Sequence, residues 1–334
     1  MPRVAVLLPA RDAARTVRGA AVSVLRQTFR DLLLVAVDDG SLDGTGEILE
    51  GLARRDRRLT LVAGAGEGIV RALNRGLDRC DAEVVARMDA DDVAHPRRLE
   101  RQLAALEADP SLAAVGSRVR LFPRAAVRLG MRRYALWIDG LATPESVARD
   151  LLVESPLVHP SASIRRSALE RAGGWREGPF PEDYDLWLRI AETGACLANV
   201  PERLLDWRDS PGRLTRSDPR YALSRHMALK AAWLARNVLA ARSEVAIWGA
   251  GDTGKAFSDA LAEVGISVAL FVDVDPRKIG TRRRGAPVVG PDRLREARHL
   301  KLLVAVGAAG ARPLIREELG RQGLCELRDF WCVS

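Results

Sequence analysis

The stretch EVVARMDADDVAHPRRLERQL, Glu83 to Leu103, decides how this chain is read. An apolar, strand-like run ends abruptly in Asp89, Asp91 and Asp92, three carboxylates within four residues. Two such charges about 5 Å apart, at an effective dielectric near 20, repel by roughly 3 kcal/mol. Acid gathered at the end of a buried strand therefore calls for something positive beside it. A hard divalent cation, Mg2+ or Mn2+, is one answer, because such ions prefer carboxylate oxygens and bridge them to substrate phosphates. The other is an acidic loop that caps the helix starting near Pro96, and the local sequence leaves both open.

Working outward, the first half of the chain alternates strand and helix. RVAVLLP (Arg3–Pro9) reads as a strand, TVRGAAVSVLRQ as an amphipathic helix, and DLLLVAVDDGS (Asp31–Ser41) as a second strand. A helix around Gly44–Arg55, a strand at LTLVAG, a helix at GIVRALNRGLDRC and the strand AEVVARMD follow. Continuous apolar strands separated by helices imply a parallel sheet covered on both faces, with ligands bound at the carboxyl ends of the strands. Pro9, Asp38, Asp39, Asp89 and Asp91 all fall at those ends.

Beyond the helix Pro96 to Asp109 the pattern loosens. RVRLFPRAAVRLGMRRYALW reads as a strand and an insertion, followed by a helix near Pro144–Leu152 and a helix in FPEDYDLWLRIAETG. Glu182 and Asp183 stand at the start of that last helix, where acids stabilise the helix dipole or, in a cleft, accept a proton from a hydroxyl. Residues Asp218 to Ala241 read as one long helix that joins two domains, and a fresh strand begins at Glu244.

The bulk numbers fit a folded protein. The chain has 334 residues, 47% hydrophobic and 29% charged, with a formal net charge of +8. That length suits about two domains, and the positive balance favours acidic partners such as phosphates or an anionic surface. All basic residues but Lys230, Lys255, Lys278 and Lys301 are arginine, a bias that base composition of the genome explains equally well. The arginines lie among acids with no aromatic platform, so nucleic acid is not the expected partner. Cys80, Cys196, Cys325 and Cys332 are scattered without metal-ligand spacing, as in a reduced cytoplasmic protein. The apolar start is short and broken by Pro9, no run nears the roughly 20 residues of a membrane span, and membrane contact is expected to be peripheral at most.

Taken in order, VAVLLPARD, AVSVLRQTFRDLLLVAVDDGSLDGT, RALNRGL, ARMDADDVAHPRRLERQL and HPSASIRRSALERAGGWRE with PEDYDLWLRIAE resemble the family-two glycosyltransferases over about Pro2 to Arg208. The resemblance implies a GT-A fold, a Rossmann-like mixed sheet sandwiched by helices, with an inverting mechanism, a nucleotide-sugar donor and bound Mn2+ or Mg2+. It implies that Pro9, Arg11 and Asp39 line the nucleotide pocket, with Asp38 beside Asp39 and Arg71 near the base. Asp89 then approaches the ribose and sugar, Asp91 holds the metal with Asp92 in support, and Arg208 lies near the diphosphate. His159 is a donor or acceptor contact by the same likeness, although a structural histidine fits the residues as well. Asp183 resembles the general base, with Glu182 its neighbour. Arg11-Asp12 departs from the Tyr-Asn or Asn that many members carry, which leaves the base and sugar open. The usual setting of such enzymes is bacterial surface polysaccharide or glycan assembly in the cytoplasm or at the inner face of the membrane, with a saccharide or lipid-linked saccharide as acceptor.

Three blocks are thus expected: a transfer domain over 1–215, a helical linker over 216–243 and a small Rossmann-like α/β domain over 244–334. In the last, EVAIWGAGDTGKAFSDAL sets Gly249, Gly251 and Gly254 as GxGxxG between strand and helix, with Asp273 near the spacing of a ribose-binding acid. This half-size module resembles the small domains of sugar acyltransferases and CoA-binding-like domains. It admits a bound nucleotide, an empty degenerate fold or an assembly role. An NAD(P)-binding oxidoreductase run by this domain is the alternative function, but it leaves the acidic cluster unexplained.

Overall fold

The computed structural model describes residues 2–239 and 243–334, and the chain divides into two compact units. The first takes the chain up to Ala148, then Pro156–Gly178 and Glu182–Ser217. The second takes Arg149–Ser155, Pro179–Pro181 and Asp218–Ser334, so the division is discontinuous in sequence.

In order, the elements of the first stretch are β1 (Val4–Ala10), α1 (Val17–Leu25), β2 (Leu32–Asp38), α2 (Thr45–Ala53), β3 (Leu59–Ala63), α3 (Ile69–Leu77), β4 (Val84–Arg87) and β5 (Val93–Ala94). They continue with α4 (Arg98–Ala108), β6 (Leu112–Phe122), α5 (Leu129–Ile138), α6 (Pro144–Asp150), β7 (Ser163–Arg165), α7 (Arg166–Ala172), α8 (Glu182–Glu192), β8 (Cys196–Arg208) and α9 (Leu214–Ser217). The segment expected as a strand and insertion is therefore the long β6 followed by the helix α5.

The first unit is built on an eight-stranded mixed sheet in the order β3-β2-β1-β4-β7-β6-β8-β5. Strands β3, β2, β1 and β4 pair parallel with one another, whereas β7 runs antiparallel to β4 and β6. Every residue of β1 is buried, which is why its sequence is continuously apolar instead of alternating. The chain winds outward from β1 to β3 and then returns to the other side of β1 as β4. Such a reversal opens a crevice at the carboxyl ends of the strands. Register places Ala10 of β1 beside Asp38 of β2, and Leu7 beside Arg87 of β4. With strands about 4.8 Å apart, the acids that follow β2 and β4 leave the sheet roughly 10 Å from one another.

The second unit contains α10 (Leu223–Asn237), β9 (Glu244–Trp248), α11 (Asp252–Glu263), β10 (Ser267–Val272), β11 (Arg282–Arg283), β12 (Ala286–Val289), β13 (Lys301–Val304), α12 (Ala311–Arg321) and β14 (Phe330–Cys332). Its six-stranded sheet runs β11-β12-β10-β9-β13-β14. The long helix expected from Asp218 begins only at Leu223. Pro219 opens a separate 3-10 turn, capped by the Asp218 carboxylate on the Arg220 amide. Its expected end, Ala240 and Ala241, lies with Arg242 outside the described residues. Buried Lys230 of α10 donates to the carbonyls of Val153 (2.8 Å) and Val333 (3.0 Å), and burial lowers its pKa to about 8. The buried Asp150 accepts from Arg316, which also pairs with Glu326. These bonds are what make Arg149–Ser155 part of the second unit.

Two glycines test the packing. A Cβ on Gly76 of α3 would run into Leu7 of β1 and lie 2.7 Å from Val37 Cγ2 of β2, whereas one on Gly19 of α1 meets nothing within 4 Å. Alanine gains roughly 0.8–1 kcal/mol of helix propensity at either position, and a clash in a packed core costs roughly 1–3 kcal/mol. Gly19→Ala should therefore raise the unfolding free energy by about 0.5–1 kcal/mol and Gly76→Ala should lower it, as read by urea denaturation.

Candidate active site

At the end of β4 the backbone stays in the sheet one residue longer, Met88 N–H donating to the carbonyl of Leu7 at 3.0 Å. The chain then turns, and Asp89, Asp91 and Asp92 each bring a carboxylate oxygen within 4.8 Å of the others. Part of the compensating charge comes from the protein itself. The buried Arg87 donates to Asp89 at 2.6 Å, and the wholly buried Arg98 donates behind it to the carbonyl of Arg87 at 2.7 Å. Arg208, delivered by the pairing of β5 with β8, donates its amide to Asp92 Oδ1 at 2.7 Å and its Nε to the Asp91 carbonyl at 2.8 Å. Its guanidinium stacks 4.4 Å over the ring of Phe122.

That compensation is incomplete. Asp92 is 1% exposed, yet its Oδ2 has no hydrogen-bond partner among the described residues. Burial, followed by the charges of Asp89 and Asp91, holds its carboxyl well above the ordinary range. Burial and then Asp89 push Asp91 up to about 6, against the smaller opposing pull of Arg213 and Arg208. The helix-capping reading fails as well, because α4 starts at Arg98 and its N-cap, Arg97, has no side-chain cap. Three convergent carboxylates, one of which also has an orphaned oxygen, form a donor set that suits a hard divalent cation.

Across β1, Asp39 does something its sequence context did not reveal. Its Oδ1 accepts the amides of Gly66 (3.0 Å) and Glu67 (3.1 Å), and its Oδ2 accepts that of Gly68 (2.9 Å). Three of roughly four lone-pair directions are thus filled. Arg11 donates to the Gly66 carbonyl at 3.2 Å and stands 4.0 Å from Asp39, so it braces the same loop. Asp38 accepts from both the amide and the hydroxyl of Ser41, a turn interaction, while Asp43 accepts from Thr45 at the start of α2. Pro9 is buried in β1 opposite Val37. Arg71 is exposed and paired with Glu67 (2.8 Å) and Glu177 (3.0 Å). Exposed pairs of this kind are worth at most about 1 kcal/mol, so exchanging one for a ligand is cheap.

Glu182 and Asp183 open α8, where Asp183 Oδ1 accepts the Tyr184 amide at 2.8 Å. Asp183 is half-buried and Glu182 buried. His159 is buried too, and its Nε2 lies 3.0 Å from the indole nitrogen of Trp175. An indole only donates, so Nε2 is the acceptor and the neutral ring carries its proton on Nδ1, the atom 3.9 Å from Glu182. Burial, helped by Arg87, lowers the pKa of this histidine well below its usual value. The ring therefore stays neutral and held in place by Trp175. Sequence reasoning passed over Arg87, Arg98 and Trp175; the signal for the first was a lone arginine inside the apolar run VVAR.

Residues 5–173 match the model of the family described as "Glycosyl transferase family 2", half of the chain. The chain belongs to glycosyl transferase family 2. The matched segment contains Asp39, the acidic cluster and His159, and stops before Glu182. The putative glycosyltransferase EpsE of Bacillus subtilis is 30% identical over 227 residues, covering 66% of this chain and 78% of that one. An uncharacterized glycosyltransferase of Haemophilus influenzae is 28% identical over 214 residues; the match takes in 62% of this chain and 65% of that relative's length. The amylovoran biosynthesis glycosyltransferase AmsE of Erwinia amylovora is 32% identical over 190 residues, 56% of this chain and 68% of that one. Among solved structures, the mannosyltransferase PcManGT from Pyrobaculum calidifontis, in complex with GDP-Man and Mn2+, aligns with a TM-score of 0.55 at 25% identity, over 72% of this chain and 66% of its own. S. aureus TarS in complex with UDP-GlcNAc aligns with a TM-score of 0.55 at 17% identity, over 78% and 71%, a likeness of fold alone. The mixed α/β architecture is that of the GT-A glycosyltransferases, and the relatives are enzymes that transfer sugars.

Two of the three glycines at the turn from β9 into α11 serve its packing. A Cβ on Gly249 would lie 2.5 Å from the Ala305 carbonyl, and one on Gly254 would strike the carbonyl of Gly249. Gly251 has room, with only Lys278 Nζ at 4.0 Å. Asp273, expected at a ribose, accepts the amides of Ala250 and Asp275 and the ammonium of Lys278, each at 2.9 Å. It is spent on holding the glycine turn.

In the metal-free protein, Asp92→Asn keeps an oxygen for the Arg208 amide and removes a buried charge with an orphaned atom. Burial and the nearby charges of Asp89 and Asp91 disfavour that charge, so removing it should raise the unfolding free energy by roughly 1–3 kcal/mol. Denaturation of both forms in the presence of a chelator reads it; a loss of stability would show that Asp92 Oδ2 has a partner.

Proposed function

We propose that residues 1–215 form a metal-dependent, inverting glycosyltransferase that moves a sugar from a nucleoside diphosphate to a hydroxyl of a saccharide or lipid-linked saccharide. The observation that carries this reading is the trio of convergent carboxylates with an orphaned oxygen, at the strand ends where such sheets bind ligands. Asp91 and Asp89, backed by Asp92, are the residues that would hold Mn2+ or Mg2+. When bound, such a cation neutralises the diphosphate and stabilises it as a leaving group.

The protein's own groups divide the remaining work. Asp39 orders the loop Gly66–Gly68 and offers its last lone pair to the nucleoside, with Arg11 and Arg71 on the same side. Arg208 lies beside the cluster, where its charge favours a diphosphate. Asp183 takes the proton from the acceptor hydroxyl as that oxygen attacks the anomeric carbon, and direct displacement inverts the centre without a covalent intermediate. Glu182 and the neutral His159, fixed by Trp175, set the start of α8 that carries Asp183. The matching proteins of amylovoran and O-antigen biosynthesis support surface polysaccharide assembly as the setting, with the cytoplasm or the inner membrane face as its place. No helix among the described residues is long and apolar enough to cross a membrane. The matches are to glycosyltransferases, so the oxidoreductase alternative has no relative in its favour. A nucleotide at the glycine turn of the second unit would have to displace the Lys278–Asp273 pair, and the function proposed rests wholly on the first unit.

A thermal-shift screen of nucleoside diphosphates with and without Mn2+ tests the donor site. Stabilisation should require the metal and vanish in Asp91→Asn. Asp183→Asn should keep that stabilisation while transfer falls by at least the 100-fold usual for losing a general base. Full transfer by Asp183→Asn would remove it from the role of base.

A further inference from the structure

Residues 124–138, RAAVRLGMRRYALWI, carry four arginines and no acid, a local charge of +4 that the proposed reaction does not use. Several other surface arginines of the first unit are neutralised in place, as Arg71 is by Glu67, Arg120 by Asp206 and Arg203 by Asp139. Arg124, Arg128, Arg132 and Arg133 make no ion pair among the described residues, and Asp139, the first acid after them, is taken by Arg203 and Arg118. The helix within this stretch, α5, also exposes the wrong residues for a face in water. Leu129 and Leu136 are 62% and 71% exposed, while Ile138 is buried. Seven residues apart, the two leucines share one face, and Arg132 and Arg133 flank them on either side of it.

We propose that α5 is a docking surface for an anionic lipid bilayer. Leucines between arginines suit that partner. The apolar side chains enter the headgroup boundary, and the guanidinium groups reach back to the phosphates beside them. A duplex nucleic acid would match the charge but leave both leucines in water. A second copy of the same face would bring eight arginines together without an acid between them.

The surface is tied to the acidic cluster. The Tyr134 ring of α5 packs 5.9 Å from that of Trp207, the residue before Arg208, and the Arg213 guanidinium lies 4.4 Å over the same Trp207 ring. The Arg128 amide donates to Asp209 at 3.0 Å. Docking through α5 therefore holds the segment beside the candidate metal ligands near the lipid headgroups. The inference does not depend on the metal, the donor or the base.

The test is co-sedimentation of the full chain with phosphatidylcholine vesicles, with and without phosphatidylglycerol as a third of the lipid. Binding should require the anionic lipid and weaken as salt rises. Arg132→Ala with Arg133→Ala should weaken it about 25-fold, at about fivefold for each charge near the surface. Leu129→Ser with Leu136→Ser should weaken it by about tenfold or more. All four side chains are exposed, so melting temperatures should not move. Absence of binding to anionic vesicles at low salt, or unchanged binding by both variants, overturns the proposal. So does retention of duplex DNA, or a concentration-dependent dimer, that the variants lose while vesicles go unbound.

Discussion

The first unit is organised around negative charge that the fold concentrates and only partly cancels. Asp89, Asp91 and Asp92 leave β4 together because the parallel strands end there, and buried Arg87 and Arg98 are set behind them as counter-charge. Neutralising the loop fully would have closed it to ligands. Leaving Asp92 Oδ2 without a partner stores an unfavourable interaction that a bound cation would relieve. Arg208 joins this centre through its backbone as well as its side chain, which commits the end of β8 to the same place.

The other end of the crevice is built on a different principle. Asp39 accepts three backbone amides, so it acts less as a bare charge than as a mould for the turn Gly66–Gly68. A ligand at such a turn would meet it already ordered, because the entropy of shaping it is spent on folding. The same economy holds at α8, where His159 is locked between Trp175 and the edge of Trp187.

What the sequence made legible was whatever depends on neighbours along the chain. Strand and helix alternation through Asp89, the strand-end position of the acids and the glycine turn before α11 all follow from local periodicity and spacing. The amide partners of Asp39 lie 27 to 29 residues away, and Trp175 lies 16 from His159, distances over which no residue pattern announces a hydrogen bond. Helix α5 was missed for a separate reason. Its outward leucines and arginines break the apolar period expected of a helix that buries one face in the protein. The shortened α10 shows the reverse error, since apolar spacing ran on through Pro219 where the backbone does not.

The discontinuous second unit bears on how such a chain is inherited. Val153 and Asp150, encoded within the span of the first unit, receive their hydrogen bonds from Lys230 and Arg316 far downstream. A recombination that exchanged everything after Ser217 for an unrelated tail would leave a buried carboxylate and a carbonyl stranded. The two halves are therefore bound to travel through evolution as one gene, and to diverge in step at these four positions.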